Sequence, residues 1–233
     1  MGGNIAYRPV ATGPALGAHN SRADQDANAG NQDPATVVVA GKTAGSAITV
    51  FSMGDFARMA TPTDTSSTSF TQRGTDQGYA SGLWPGFGVR AHANANVSGS
   101  GSYTVSVDKD NAFPLEEITV VVLEVIGGTS FVQSQGNAAA AGAGVGYSSP
   151  SITTTGPAVI FAAWSGDADT ATNPKTVAVS GTGWSIIESA FISGVPYVQF
   201  AVAARIVTGA GTYSCTWTPV ASQGASMQMI AVQ

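Results

Sequence analysis

The residues best suited to chemistry lie together in one alternating run, Arg90-Ala-His-Ala-Asn-Ala-Asn96. Successive residues of a strand point to opposite faces, so Arg90, His92, Asn94 and Asn96 would share one face. We interpret this face as solvated. The alternative is a polar face that binds a sugar or a partner strand. The only other histidine, His19, has no Cys or acidic partner at zinc-ligand spacing.

The carboxylates do not form a catalytic pair. Glu116 and Glu117 are adjacent, so within a strand they would point to opposite faces and could not share acid-base work. The run 108–111 begins like a calcium loop, but its sixth position is Phe113 where the loop needs glycine. Glu124 is expected at an outward surface position. We therefore predict a protein that is not an enzyme and has no metal and no cofactor.

The aromatic residues divide into a core set and one exposed candidate. Trp164, Trp184 and Trp217 lie in strand patterns, which favours core packing. Trp84 lies in a glycine- and proline-rich loop, and we predict that it contacts a partner or a glycan, together with Arg90 and His92. The single cysteine, Cys215, alternates with two aromatic residues and is expected to be a small core residue.

The chain contains an internal repeat, and each copy spans somewhat less than half of its length. Residues 45–55 and 97–107 resemble residues 156–167 and 207–217, and each pair precedes an apolar run that ends a block. These similarities predict two pseudo-repeats, 36–126 and 150–233, joined by a linker, 127–149.

Segments rich in Val, Ile, Thr and aromatic residues alternate with Gly, Asn, Asp and Pro, and no convincing helix appears. A single five-stranded sheet would leave a face and two edges bare, and packing the two blocks face to face covers that face. We predict an all-β fold over 36–233: a single jelly-roll-type antiparallel β-sandwich made of two halves. The candidate strands are 36–40, 47–53, 67–73, 86–97, 102–108, 117–126, 150–154, 158–164, 175–180, 183–190, 196–207, 212–218 and 226–232.

Composition limits the partners. The chain is 43% apolar but only 10% charged, with a net charge of −5, against about 25% charged in average proteins. Nine basic residues make no patch, so nucleic-acid binding is not expected. The sequence shows no window of 18 apolar residues and no Sec signal, which predicts no membrane insertion and no Sec secretion. We expect the chain to stay in the cytosol that made it, or to leave by lysis or inside a larger particle.

Residues 1–35 differ from the rest. They contain three prolines and almost no β-branched residues, so they cannot bury enough apolar surface to fold alone. We predict an extended N-terminal arm that orders against a neighbour, anchored by Tyr7, Arg8 and Pro9.

The order of features over 156–233 resembles bacterial and phage jelly-roll β-sandwich domains of virion proteins (head decoration, fibre, tail) and cell-surface proteins. It includes Gly181-Thr-Gly-Trp-Ser-Ile-Ile187, Ala204-Arg-Ile-Val207 and Gly209-Ala-Gly-Thr-Tyr-Ser-Cys-Thr-Trp217. The resemblance implies a structural protein of a bacteriophage virion, a homo-oligomer with a trimer as one option, that contacts other virion proteins through its arm and a host-surface glycan. The alternative is a carbohydrate-binding module of a bacterial surface protein.

Overall fold

The computed structural model describes residues 13–25, 34–55, 59–80, 85–108, 117–142, 146–168, 177–192, 197–219 and 223–233. These residues form strands and turns, and no helix occurs among them, so none that could span a membrane. The strands up to residue 126 are β1 Ala15–Gln25, β2 Ala35–Lys42, β3 Ala47–Asp55, β4 Thr63–Asp64, β5 Thr71–Ala80, β6 Pro85–Asn94, β7 Gly101–Val107 and β8 Glu117–Ile126. The later strands are β9 Phe131–Gly142, β10 Tyr147–Ser148, β11 Ile152–Thr154, β12 Ala158–Ala168, β13 Val177–Ser180, β14 Ser185–Ile192, β15 Tyr197–Val207, β16 Gly211–Tyr213, β17 Thr216–Pro219 and β18 Gln223–Val232.

Alternation along the strands determines which face is buried. In β7, the side chains of Tyr103, Val105 and Val107 are fully buried, whereas Thr104 and Ser106 between them are partly exposed. A period of two is the pattern of a strand with one face on the core. The antiparallel β-sandwich predicted from such patterns is confirmed.

Two five-stranded antiparallel sheets form the centre of the molecule. Their strand orders are β1-β8-β3-β6-β5 and β14-β15-β12-β18-β9. Their inner faces pack together in one apolar core to which both sheets contribute, with Phe51 and Leu123 from the first and Phe161 and Phe200 from the second. Burying side chains of this size contributes about 1.5–3 kcal/mol each, so this core stabilises the joint between the sheets.

Smaller sheets cover the outer faces, which gives four layers. The sheet β2-β7-β4 lies outside the first large sheet and encloses a second core with Tyr103 and Ile118. The sheets β10-β17-β13 and β11-β16 lie outside the second large sheet and enclose a third core with Trp164 and Trp217.

The two large sheets have corresponding strand orders. Read from its other edge, the second sheet is β9-β18-β12-β15-β14, and each of its strands takes the place of β1, β8, β3, β6 and β5 in turn. The sheets are opposed so that β1 lies against β14 and β5 lies against β9. The duplication and the jelly-roll class stay predictions.

The predicted strand 67–73 is displaced, since β5 covers Thr71–Ala80, and two further strands were not expected at all. Within the predicted arm, residues 15–25 form the edge strand β1, which pairs with β8. Within the predicted linker, residues 131–142 form the edge strand β9, which pairs with β18. Both strands are poor in β-branched residues, so their pairing with a neighbouring strand rather than intrinsic propensity holds them in place.

Candidate functional site

The centre of the polar face of β6 is buried rather than solvated. Arg90, His92 and Asn94 do share one face, as predicted, while Val89, Ala91 and Ala93 face the central core. However, His92 is only 2% exposed. The prediction of a solvated face is therefore wrong at His92, whereas Asn94 is half-buried and Asn96, beyond the end of β6, is exposed.

Residues 59–70, which we call the strap, run from one end of this face to the other. Two side chains of β6 hold its ends: Arg90 donates from Nη1 to the Met59 carbonyl (2.7 Å), and Asn94 donates from Nδ2 to the Ser69 carbonyl (2.6 Å). Met59 and Phe70, at the two ends of the strap, are buried in the outer core of the first sheet. The polar residues of β6 thus serve as anchors for a loop.

Arg90 also forms an ion pair with Asp76 of β5. Its Nε donates to Asp76 Oδ1 (2.8 Å) and its Nη2 to Oδ2 (2.6 Å), and Gln72 donates to the same carboxylate. A bidentate pair of this kind fixes the guanidinium plane. The carboxylate raises the pKa of Arg90, chiefly through the hydrogen bond.

His92 has no comparable partner among the described residues. Its Nδ1 is buried and forms no hydrogen bond with them. Burial lowers the pKa of His92 to about 4, and the nearby Arg90 charge adds to this while Asp76 opposes it. The imidazole is therefore neutral near pH 7, and its burial keeps it from acting as a ligand or base toward an external molecule.

Glu124 is a buried structural anchor, so the prediction of an outward position is wrong. Its side chain is 1% exposed. Oε2 accepts a hydrogen bond from the Ala18 amide (2.9 Å) and Oε1 accepts one from the Thr43 amide (2.6 Å). Glu124 therefore joins β1, near its register shift between Leu16 and His19, to the turn between β2 and β3.

A second buried polar group lies under the outer sheet of the same half. Lys42 is 3% exposed, donates to the carbonyls of Ser98 and Gly99, and lies 5.1 Å from the ring centre of Tyr103. Burial lowers the pKa of Lys42, an effect that the Glu124 and Asp64 charges oppose.

The Tyr103 hydroxyl donates to Asp64. Burial, together with that hydrogen bond, raises the pKa of Tyr103. Asp64 Oδ1 accepts from the amides of Ser66 and Thr68, both at 2.8 Å. Burial opposes ionisation of Asp64, but hydrogen bonds from Thr68, Tyr103 and Ser66 lower its pKa overall. These contacts fix the turn that follows β4.

Polar contacts also join the two large sheets at both edges. At the β1–β14 edge, Glu188 is bonded to His19 Nδ1 and accepts from Ser21 Oγ, both at 2.6 Å. At the β5–β9 edge, the Arg73 carbonyl accepts from Gln228 Nε2 (2.7 Å) and Ser134 Oγ (3.3 Å). These contacts align the sheets.

The buried aromatic residues and the cysteine lie where the sequence placed them. Trp164, Trp217 and Trp184 are 0%, 0% and 8% exposed, so they cannot present a face on which a sugar stacks. Cys215 is 3% exposed, and burial raises the pKa of its thiol to about 11, although a hydrogen bond with Ser149 opposes this.

The remaining candidate residues lie outside the described residues: Trp84, the anchor residues Tyr7, Arg8 and Pro9, and Asp110 and Asn111 of the calcium-like run. Within the described part of the chain, no group of three or more His, Cys, Asp or Glu residues is arranged to hold a metal ion. Comparison with known proteins found no matching family, no matching curated protein and no matching solved structure.

Proposed function

We propose that this chain is a non-enzymatic structural protein of a bacteriophage virion. One observation carries the proposal. The buried Asp, Glu, Lys and His side chains of the described residues are Asp24, Lys42, His92 and Glu124. Lys42 and Glu124 bond to distant parts of the chain, and Asp24 is paired with Arg22 of the same strand. None of the four is placed where a substrate could reach it.

These buried groups stabilise the fold, as expected in a structural protein. Buried charge is expensive unless it is paired or hydrogen-bonded, and here it joins strands to turns. Enzymes instead place perturbed groups in a cleft that a substrate enters. Four packed layers, three cores and few surface charges suit a subunit whose role is to keep its shape between neighbours.

Assembly through the N-terminal arm is part of the proposal. Since residues 15–25 belong to the first sheet, we assign the arm's contact with other subunits to the residues that precede β1. Removal of residues 1–12 leaves β1 intact, so light scattering of the full and shortened chains tests the assignment. We expect the shortened chain to have a smaller assembly mass. Equal masses would exclude residues 1–12 from self-assembly.

Three of the four tryptophans are unavailable as sugar platforms, so we do not propose carbohydrate binding as a second function. The virion assignment is tested by gradient centrifugation of phage particles from a culture that produces the chain. After a high-salt wash, we expect the chain to sediment with intact particles at a fixed ratio to the major subunit. A chain that stays at the top of the gradient, or washes off fully, would contradict the assignment.

A further inference from the structure

His92 lies on β6 between the two residues that anchor the strap. Arg90, two residues earlier on the same face, holds the carbonyl of Met59. Asn94, two residues later, holds the carbonyl of Ser69. The imidazole is 2% exposed, and we infer that the strap, whose two ends are bonded to the residues on either side of it, is the segment that keeps water away.

Among the described residues, no group near the imidazole is left to balance a positive charge on it. Across the sheet, His92 is flanked by Val50 of β3 and Gln72 of β5. The charged groups that act on it are Arg90, of like sign to a protonated imidazole, and Asp76, which Arg90 already binds. The strap's own described carboxylate, Asp64, is bound by Tyr103 and two backbone amides.

A neutral imidazole in this position leaves Nδ1 buried without a partner among the described residues. A protonated imidazole would be a buried charge next to a guanidinium, with both nitrogens requiring acceptors. We propose that the strap is an acid-sensitive element, in which uptake of a proton by His92 releases residues 59–70 from the outer face of β6.

The direction in which pH shifts the opening of the strap follows from the pKa of His92 in the closed and open states. With the strap closed, the pKa of His92 is about 4; once the strap opens and the ring meets water, the pKa returns toward 6.5. The open state then binds the proton more readily, so opening is favoured as the pH falls from about 6.5 to about 4 and levels off below that. The same two values predict that the opening equilibrium rises about 30-fold between pH 8 and pH 5.

Hydrogen exchange of the full chain, corrected for the intrinsic effect of pH on exchange, measures this directly. We expect the protection of amides in the strap to fall about 30-fold from pH 8 to pH 5. Amides of β12, which lies in the central layers, serve as the internal reference and should keep their protection. A strap whose protection changes less than about threefold would overturn the proposal, as would an equal loss in β12.

Two substitutions separate His92 from other acid effects. His92→Gln should remove the pH dependence of strap protection, because the amide does not titrate in this range. His19→Gln, at the only other histidine, should leave it as in the wild type. A strap that still loses protection in acid after His92→Gln would overturn the assignment to His92.

A direct titration covers the case in which His92→Gln does not fold. In the wild-type chain, nuclear magnetic resonance of the imidazole protons should give His92 a pKa below about 5, with the chemical shifts of strap residues changing over the same pH range. A folded-state pKa of 6 or higher for His92, or strap shifts that follow a different titration, would overturn the proposal.

Discussion

Replacement of Glu124 by Gln tests the reasoning that buried charge stabilises this fold. Gln has nearly the same shape as Glu, so the substitution creates no cavity around position 124. Its one carbonyl oxygen can accept from Ala18 or from Thr43, but not from both, and its NH₂ group then faces the other backbone amide. The substitution therefore removes one hydrogen bond and leaves one amide donor buried without a partner.

The magnitude follows from these contacts. A hydrogen bond to a charged group contributes about 1.5–3 kcal/mol, and a buried donor without a partner costs about 1–3 kcal/mol. Both values include the loss of the same amide–carboxylate contact and therefore cannot simply be added. We expect a loss of about 3 kcal/mol in the free energy of unfolding. For a domain whose total stability is about 5–15 kcal/mol, that is a large fraction.

Urea unfolding followed by tryptophan fluorescence measures the change, with an expected fall in the midpoint of about 1–2 M. Glu188→Gln is the matched control. Glu188 also has two side-chain bonds, but its partner His19 is 30% exposed, so we expect a loss below about 1 kcal/mol. Equal losses for the two variants, or a loss below about 1 kcal/mol at Glu124, would refute the reasoning.

Three further predictions concern the core, a glycine and the cysteine. Phe161→Ala should lower the free energy of unfolding in urea by about 3–5 kcal/mol because it opens a cavity between the large sheets. Ile206→Ala, at a side chain 57% exposed, should lower it by less than about 1 kcal/mol. Similar losses for the two variants would argue against the central core. Gly74→Ala should lower the melting temperature more than Gly41→Ala. Both glycines have positive φ, which costs an alanine about 1–2 kcal/mol, but of the two only Gly74 would bring its Cβ against side chains, at 2.9 and 3.0 Å. Equal thermal shifts would contradict the close approach of β5 to β9. Cys215 should react with a thiol reagent at pH 8 only after unfolding, because burial raises its pKa to about 11, and rapid reaction of the folded chain would show that it is accessible.

Strands with strong intrinsic preference could be predicted from the sequence. The run 117–126 was predicted to the residue, because Val and Ile dominate it and Pro114 precedes it. β1 and β9 were missed, since Ala, Gly, Asn, Ser and Gln carry little strand signal. Their position depends on pairing with β8 and β18, which lie far away in sequence.

The buried polar residues show a different limit of prediction from sequence. Alternation correctly placed Arg90 and His92 on one face, yet it could not tell that the centre of that face is buried. Glu124 looked like an outward residue because its neighbours are apolar, but its carboxylate binds amides that lie 106 and 81 residues away in sequence. A lone carboxylate inside an otherwise apolar strand was the one available signal that it was buried for a structural reason.

The central claim is that this chain is a building element of a phage particle. Cryo-electron microscopy of purified particles from a culture that produces the chain tests it most directly. We predict density at symmetry-related positions that fits the four-layered sandwich, with β3 and β12 in its two central sheets. A reconstruction in which other proteins account for all of the ordered density, with this chain absent from the particles, would contradict the claim.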